Sequence, residues 1–387
     1  MCGESMNQIR IPLSGSDIDD SDRREVNDVL ASGRLSIGPK VLAFEEAFAA
    51  YLGVKHAVAC NSGTSALHMM MVAEGIGPGD EVITSPFSFI ASANCIEMVG
   101  AKPVFVDIDR KTLNLDARAV EAAITPRTKA VLAVHIFGLS ADMPALMAIA
   151  SQRSLLLLED ACESLGAKAN GSKVGAGGLA RSAAWGFYPN KQMTTGEGGM
   201  VTTNDEGLAL SFRRLRNQGR NPAAAWLEHD VLGYNYRLDE MSAALGLSQI
   251  RRFDALKRKR DAVAARYAER LRPLKDALST LAEIPGYERS WFVYTVVLEP
   301  AWSRDRLVER LAEKGIQTGK YFAPPIHLQK FYTQKYGYRP GAFPITEDIS
   351  RRIIALPFHS NLPAAAVDEV CSAIGHLLRS EPDTLRA

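Results

Sequence analysis

The alternation of short apolar, β-rich runs with helical stretches through the first two thirds of this 387-residue chain constrains the fold most. Strands alternating with helices of this length predict βαβ units and a largely parallel sheet that is covered on both faces. Five runs predict buried strands: HAVAC (56–60), DEVITS (80–85), KPVFVD (102–107), KAVLAVHIFG (129–138) and SLLLLED (154–160).

The pattern changes from about residue 240 onward. Residues 239–274 form a long amphipathic stretch rich in Arg and Lys, whose charges we interpret as a solvated helix face rather than a binding patch. The run RSWFVYTVVLEP (289–300) predicts a strand, and residues 364–379 predict a terminal helix. We therefore expect a large α/β domain over residues 1–250 and a smaller C-terminal α+β domain over residues 251–387.

Composition excludes several classes of protein. The net charge of +1 argues against a nucleic-acid binder that relies on phosphate attraction. The five cysteines form no CxxC pair, so neither a disulfide framework nor a metal site is predicted, and the pattern fits a reducing cytoplasm. The start MCGESMNQIRIP lacks the apolar core of a signal peptide, and no apolar run reaches the roughly 18 residues of a membrane span.

The stretch VACNSGTSALHMMM contains the first candidate site. A predicted strand ends at Cys60, the chain turns through residues 61–63, and a helix begins near Thr64. The free N–H groups of a helix start, together with hydroxyl side chains, suit a phosphate group. An ordinary N-cap before a core-facing helix explains the same residues, and for this turn taken alone it is the preferred interpretation. The turn has neither a Walker lysine nor a GxGxxG motif, so nucleoside triphosphate or dinucleotide binding is not predicted.

Two charged residues extend this candidate site. Asp160 follows four leucines and therefore lies at the carboxyl end of a buried strand, where open α/β sheets bind ligands. Lys191 lies 31 residues later, on a short loop after the aromatic run AAWGFYP. Taken singly, they also fit a helix N-cap and a surface lysine. Together with the phosphate-type turn they suit one cofactor, pyridoxal 5'-phosphate (PLP), whose phosphate, ring nitrogen and aldehyde need three different partners.

These residues lie within motifs that resemble one known family. The chain resembles the DegT/DnrJ/EryC1/StrS family of PLP-dependent nucleotide-sugar aminotransferases, which share the fold-type I aspartate aminotransferase scaffold. The resemblance covers nearly the whole chain, in order and spacing. It is carried by SGRLSIGPKVLAFEEAFAAYLGVKHAVACNSGTSALHMMM, GIGPGDEVITSPFSFIASANCIEMVGAKPVFVDID, HIFGLSADM, LEDACESLGA, GFYPNKQMTTGEGGM, RNQG, GYNYRLDEMSAALGLSQI and YFAPPIHLQKFY.

The resemblance assigns roles to individual residues. Lys191 is implied to hold PLP covalently through its amine, and Asp160 to pair with the ring nitrogen and keep it protonated. Phe89 is implied to stack on the cofactor ring. Gly63, Thr64 and Ser65 are implied to hold the phosphate. Asn235 matches an asparagine that reaches the phosphate from the neighbouring subunit, which implies a homodimer with shared active sites.

Some positions depart from the family or are less specific. Gly186 stands where many relatives have a phosphate-binding serine, so the phosphate grip rests on the 62–65 turn and the partner chain unless Asn190 or Gln192 compensates. Glu163, which the resemblance places among the cofactor-binding residues, stands where many relatives have Gln or His. A glutamate there resembles enzymes that aminate C4 of nucleotide-linked 4-keto-6-deoxy sugars, of the GDP-perosamine synthase type. The candidate substrate contacts are Tyr321, His327 and Arg237, and for His327 a structural role in its loop is the alternative.

The implied function is the transfer of an amino group from L-glutamate to a nucleotide-linked keto sugar, with pyridoxamine 5'-phosphate (PMP) formed between the two half-reactions. The alternatives are amination at C3, a PLP/PMP-dependent sugar dehydratase, and a regulatory protein on the same scaffold. Such dehydratases carry histidine where this chain has Lys191, which argues against that alternative. We expect no nucleic-acid or membrane partner. The product's pathway, such as O-antigen synthesis, does not follow from these motifs.

Overall fold

The computed structural model describes residues 9–176, 178–221, 228–380 and 382–386. Short strands recur from residue 56 to residue 356, most of them built from β-branched, aromatic or small apolar residues. They are β1 (His56–Cys60), β2 (Glu81–Thr84), β3 (Lys102–Phe105), β4 (Thr128–Val134), β5 (Leu156–Asp160), β6 (Lys168–Ala169), β7 (Ser172–Lys173), β8 (Ser182–Gly186), β9 (Gly199–Thr203), β10 (Leu278–Thr280), β11 (Tyr287–Glu288), β12 (Tyr294–Leu298) and β13 (Ile353–Leu356).

Helices cover both faces of the main sheet and follow the strands along the chain. They are α1 (Asp20–Ser32), α2 (Pro39–Leu52), α3 (Gly63–Ala73), α4 (Ala91–Met98), α5 (Ala117–Ala122), α6 (Met143–Arg153), α7 (Glu206–Arg216), α8 (Glu240–Arg251), α9 (Phe253–Leu271), α10 (Arg304–Glu313), α11 (Lys330–Tyr336), α12 (Pro344–Arg352), α13 (Ala364–Ser380) and α14 (Pro382–Leu385), with 3₁₀ turns at Ile136–Gly138, Arg272–Leu274 and Ile326–Leu328. No helix among the described residues is long and apolar enough to cross a membrane.

The central sheet has seven strands in the order β1-β9-β8-β5-β4-β2-β3. Strands β8, β5, β4, β2 and β3 pair in parallel, and β9 runs antiparallel to both of its neighbours. Six of the seven strands therefore point the same way, which confirms the mostly parallel α/β sheet. The carboxyl ends of those six strands all meet at one edge, where a ligand site is expected.

A second core lies at the C-terminal end of the chain. Strands β10, β12 and β13 form an antiparallel sheet, and their apolar residues pack with those of α9, α10 and α13. The predicted strand within residues 289–300 is β12, and the predicted terminal helix is α13. Ile11, near the start of the described chain, also packs in this core.

The long amphipathic stretch over residues 239–274 consists of two helices, α8 and α9, which meet at Arg252. Helix α8 packs against α1 and α2 on the large sheet. Helix α9 joins the two cores, since Phe253 packs with the large-domain residues and Tyr267 with the C-terminal ones. We retain a domain boundary near residue 250 as a proposal, with α9 as the helix that spans it.

Candidate active site

A cavity of about 560 Å³ opens at the carboxyl edge of the central sheet. It lies where β1, β5 and β8 end and where the following turns bring polar side chains together. Its walls also receive aromatic residues from the C-terminal third of the chain. The lining residues that matter below are Ser62, Gly63, Thr64, Phe89, Ser92, Asp160, Cys162, Glu163, Gly186, Asn190, Lys191, Phe292, Tyr321 and Phe322.

The turn before α3 forms one end of this cavity. Ser62 is the N-cap, and its hydroxyl accepts a hydrogen bond from the Ser65 backbone N–H at 3.0 Å. The Ser65 hydroxyl in turn donates to the Asn61 side chain at 2.7 Å, and Ser65 is buried outside the cavity lining. Gly63 and Thr64 do line the cavity, so the helix start offers a ligand their backbone N–H groups and the Thr64 hydroxyl.

Close packing at this turn requires glycine. A side chain at Gly63 would place its Cβ 3.1 Å from the Cys162 sulfur and 3.2 Å from the Gly186 Cα. A Cβ at Gly186 itself would make only ordinary contacts, at 3.5 Å from Cys162. The structure therefore leaves room for a serine at position 186, although this chain has none there.

Asp160 ends β5 at the floor of the cavity, as the strand pattern predicts. One carboxylate oxygen accepts a hydrogen bond from the Ser92 hydroxyl at 2.6 Å, and the other accepts one from the Cys162 backbone N–H at 3.2 Å. The side chain is buried, yet no cation pairs with it among the described residues. A buried carboxylate with only neutral donors suits a cationic or N–H partner supplied by a ligand.

Lys191 is not a surface lysine. Its side chain is only 15% exposed and points into the cavity from the loop between β8 and β9. The amine lies 3.9 Å from the centroid of the Phe292 ring and 3.8 Å from a carboxylate oxygen of Glu163. A compact amine held between an aromatic face and a buried carboxylate is placed for chemistry rather than for solvation.

Glu163 is the acidic neighbour of this amine. Burial raises the pKa of Glu163, and the nearby Lys191 charge lowers it in part. Its second carboxylate oxygen accepts a hydrogen bond from the Phe137 backbone N–H at 2.9 Å, which fixes the side chain. Gln192 donates to the backbone carbonyls of Glu163 and Ser290, so its amide is used in the scaffold and does not line the cavity.

Phe89 and Tyr321 both line the cavity. The Phe89 ring is 60% exposed although it is a large apolar group, so one ring face is free for a flat ligand. Tyr321 comes from a distant part of the sequence, more than 200 residues after Phe89. It stacks with Phe292, with ring centroids 6.2 Å apart. Burial raises the pKa of Tyr321, while a hydrogen bond with Asn190 lowers it in part. Asn190 is thus close enough to the cavity to contact a ligand.

Asn235 and Arg237 lie elsewhere. Asn235 is exposed, and its side chain does not line the cavity of its own chain. Arg237 donates to the Asn217 side chain at 3.0 Å and lines a separate pocket of about 500 Å³. That pocket, which we call the arginine pocket, contains the guanidinium-bearing residues Arg34, Arg213, Arg216, Arg220 and Arg237.

His327 also lies away from the cavity. It is fully buried, and its Nε2 atom is 3.1 Å from a carboxylate oxygen of Glu347. Glu347 accepts further hydrogen bonds from the backbone N–H groups of Gly341 and Phe343. The ring therefore ties the 326–328 turn to the start of α12 inside the protein, and this placement matches the structural alternative for this histidine.

Among the groups at the site that were not predicted as site residues, Ser92 and Phe292 contact Asp160 and Lys191 most directly. Ser92 forms hydrogen bonds with both Ser88 and Asp160. The two serines lie four residues apart in the run SFIASAN (88–94), and this spacing could have indicated that their hydroxyls meet. Phe292 reaches Lys191 from about 100 residues further along the chain. No local pattern distinguishes that ring from the other aromatic residues just before or within β12.

Comparison with known proteins identifies the family to which a chain with this site belongs. A family model described as the DegT/DnrJ/EryC1/StrS aminotransferase family matches residues 16–375. The chain belongs to this family. The GDP-perosamine synthase of Caulobacter vibrioides is 39% identical over 372 residues, covering 95% of this chain and 98% of that protein.

Solved structures give the same answer. DesV of S. venezuelae, in complex with a ketimine intermediate, superposes with a TM-score of 0.87 at 36% identity, covering 92% of this chain and 94% of that one. Spr1654 of Streptococcus pneumoniae in its PLP form has a TM-score of 0.87 at 27% identity, with 94% and 97% covered. This DegT/DnrJ/EryC1/StrS chain has the fold-type I architecture and is a PLP-dependent sugar aminotransferase.

Proposed function

We propose that this enzyme transfers the amino group of L-glutamate to C4 of a nucleotide-linked 4-keto-6-deoxyhexose, as a GDP-perosamine synthase does. The observation that carries the proposal is the meeting of Lys191, Asp160 and the start of α3 in one cavity. Each group alone has an ordinary structural explanation. Three different partners for one cofactor in a single cavity do not.

The residues present fit PLP. Asp160 is a buried carboxylate without a cation among the described residues, so it would hold the protonated ring nitrogen. Gly63 and Thr64 would bind the phosphate at the helix start, and Phe89 would cover one ring face. When bound, the cofactor supplies an electron sink for a neighbouring carbanion.

Lys191 is the proton carrier in this proposal. Its Nζ would move the α-proton of the amino donor to the cofactor in one half-reaction, and would take a proton from the cofactor and deliver it to the sugar carbon in the other. Glu163 lies 3.8 Å from that amine, and Phe292 lies beneath it, so both orient the amine once it is free. The low exposure of Lys191 keeps bulk water from exchanging the proton.

The choice of C4 rests on two supports. Glu163 stands three residues after Asp160, where the sequence resembles enzymes that aminate this carbon, and it faces the reacting amine. The Caulobacter vibrioides relative that carries the name GDP-perosamine synthase is 39% identical along almost the whole chain. The first alternative is amination of a 3-keto sugar.

We also propose a homodimer in which each chain completes the other's site. The exposed side chain of Asn235 lies outside its own cavity, and Arg237 points into the arginine pocket. The exposed apolar residues Ile37 and Leu42 line that same pocket. A second copy of the chain covering this face would bury Ile37 and Leu42. It would also bring Asn235 of one chain to the phosphate site of the other. A cytoplasmic setting stays a prediction, with which the free Cys60, Cys95, Cys162 and Cys371 agree.

Mixing two inactive variants tests the dimer. Lys191→Ala and Asn235→Ala subunits, combined and re-associated, should regain about one quarter of wild-type turnover, because half the dimers then contain one intact site. Light scattering should give twice the chain mass of 42.1 kDa. If the mixture remains inactive while both variants are dimeric, Asn235 does not act across the interface.

A substrate panel tests the function. The holoenzyme is incubated with ¹⁵N-labelled L-glutamate and GDP-, UDP- and dTDP-linked 3-keto and 4-keto sugars, and the products are identified by NMR. We expect ¹⁵N at C4 of one 4-keto-6-deoxy sugar. Label at C3 would support the first alternative, and amination of a simple keto acid alone would refute the sugar assignment.

A further inference from the structure

Arg260 is a buried arginine that the proposed chemistry does not use. It lies on α9, which joins the two cores, and only 2% of its surface is exposed. No carboxylate forms an ion pair with it in the part of the chain that the structure describes. Burial lowers the pKa of Arg260 to about 10, although the charge of Asp17 raises it in part. Such a charge is costly to bury, so its contacts need an explanation.

The guanidinium binds four backbone carbonyls that belong to two separate segments. One terminal nitrogen donates to the carbonyl of Lys191 at 2.7 Å and to that of Asn190 at 3.3 Å. The other donates to the carbonyls of Phe292 at 3.2 Å and Trp291 at 3.4 Å. The Arg260 Nε has no partner among the described residues.

These two segments are the ones that meet at the catalytic amine. The Lys191 amine lies 3.9 Å from the centroid of the Phe292 ring. One planar guanidinium therefore fixes the peptide that carries the amine and the peptide that carries the ring beneath it. A fork of fixed geometry sets the relative position of two chains more tightly than a flexible ammonium would.

We propose that Arg260 is a positioning residue for Lys191, holding the lysine-bearing loop in register with Phe292 so that the amine reaches its substrate. Gln192 also joins the two segments, because its amide donates to the carbonyls of Glu163 and Ser290. Without Arg260, we expect these bonds to keep the segments together but to fix their relative position less precisely. The inference rests on the proposed role of Lys191 and goes beyond it, because it assigns a function to a residue outside the cavity.

The test compares Arg260→Met and Arg260→Lys with Arg266→Met. Arg266 lies on the same helix and pairs with Asp368 on α13, and neither residue lines the cavity, so it is a matched control. Measured on the holoenzyme are kcat and KM, the dissociation constant of PLP, and hydrogen exchange of the peptide spanning residues 188–193. The Lys191 amide donates to the Tyr188 carbonyl and reports directly on this loop.

We expect Arg260→Met to lower kcat about 10- to 100-fold with a smaller change in KM, because a misplaced group costs rate rather than binding. Exchange of the Lys191 amide should become faster, and PLP should dissociate more readily. Arg260→Lys should recover part of kcat, since its ammonium still reaches the Lys191 carbonyl. Arg266→Met should match the wild type in all three measurements.

An Arg260→Met protein that folds and keeps wild-type kcat, PLP affinity and loop exchange would overturn the proposal. If Arg260→Met fails to fold, Arg260→Lys decides, and unchanged kcat and exchange in that variant would overturn it equally. A lower melting temperature with unchanged kcat would assign Arg260 a structural role only. None of these results touches the proposed function, which fails instead if Lys191→Ala retains turnover.

Discussion

The cavity has two walls of different origin. The sheet wall consists of Gly63, Thr64, Asp160, Glu163 and Lys191, each of which lies at the end of a strand of the central sheet or shortly after it. The C-terminal wall consists of Phe292, Tyr321 and Phe322, which arrive from beyond residue 290. The sheet side of the cavity supplies the charges, the backbone N–H groups and the exposed ring of Phe89, whereas the C-terminal wall supplies aromatic side chains alone.

The central sheet thus provides the reactive groups of the cavity, and the C-terminal part of the chain provides much of its shape. Parallel strands deliver charged side chains to one edge, where helix starts and strand ends compensate their burial. The C-terminal wall excludes water and orients the Lys191 amine, and it carries no charge of its own. Substitutions of the charged residues on the sheet wall should therefore abolish turnover, and those of the aromatic residues on the C-terminal wall should only weaken it.

After Lys191→Ala, the largest loss of turnover is expected for Asp160→Asn. An amide cannot hold the cofactor nitrogen in its protonated state, so turnover should fall about 100-fold or more. The melting temperature should fall far less than turnover does, because the amide oxygen keeps the short hydrogen bond from Ser92 and only the longer bond from the Cys162 backbone N–H is lost. Asp142→Asn, which alters the N-cap of α6, is the control and should stay active. Equal behaviour of the two variants would mean that Asp160 is merely a cap.

On the C-terminal wall, Phe292→Leu removes the ring beneath the Lys191 amine. A cation–π contact in a water-poor site contributes about 1–2 kcal/mol, so kcat/KM should drop roughly tenfold. Phe331→Leu removes an exposed ring that lies 5.6 Å from the Lys335 amine and serves as the control. A loss as large as that of Asp160→Asn would contradict the division between the two walls.

Behind the C-terminal wall, His327→Gln should change stability and leave KM for the sugar unchanged. Loss of the buried bond to Glu347 should cost about 2 kcal/mol of unfolding free energy. Burial lowers the pKa of His327 below its usual 6.5, although Glu347 raises it in part. The unfolded chain thus takes up a proton first, so this contribution to stability is present above pH 6.5 and declines below it.

Denaturant titrations between pH 5 and 7 measure that contribution as the difference between wild type and variant. The gap in unfolding free energy should narrow as the pH falls. The exposed His376 provides the control variant, His376→Gln. A raised KM for the sugar in His327→Gln, with unchanged stability, would place this histidine at the substrate instead.

The smallest effect is expected on the sheet wall, at Gly186→Ser. A Cβ fits there with contacts of 3.5 Å, and the added hydroxyl faces the cavity near Gly63. We expect PLP to bind a few-fold more tightly, because one additional hydrogen bond contributes about 1 kcal/mol of net binding free energy. Gly186→Ala adds the Cβ without the hydroxyl. Tighter binding in both variants would show that volume rather than a phosphate contact is responsible.

The sheet wall was predictable because its signals are local. Asp160 ends an apolar run, and the 61–65 turn precedes a helix, so strand ends and helix starts could be placed from the letters alone. The same logic correctly gave the parallel sheet, but it merged α8 and α9, because amphipathic periodicity continues through the break at Arg252.

The C-terminal wall was only partly predictable because its contacts are nonlocal. Tyr321 was found through a family motif, while Phe292 and Arg260 reach Lys191 from 101 and 69 residues away and carry no signal of their own. The motif also suggested His327, which lies six residues beyond Tyr321 but points into the core. A motif fixes which segment is near a site; packing decides which side chain faces it.

The most direct test of the central claim is to locate the bound cofactor. The holoenzyme is reduced with borohydride, which makes the bond between PLP and its lysine permanent, and then digested and mapped by mass spectrometry. We expect a single pyridoxyl-modified peptide, modified at Lys191, and none in Lys191→Ala. Modification of another lysine, or full retention of PLP and turnover in Lys191→Ala, would contradict it.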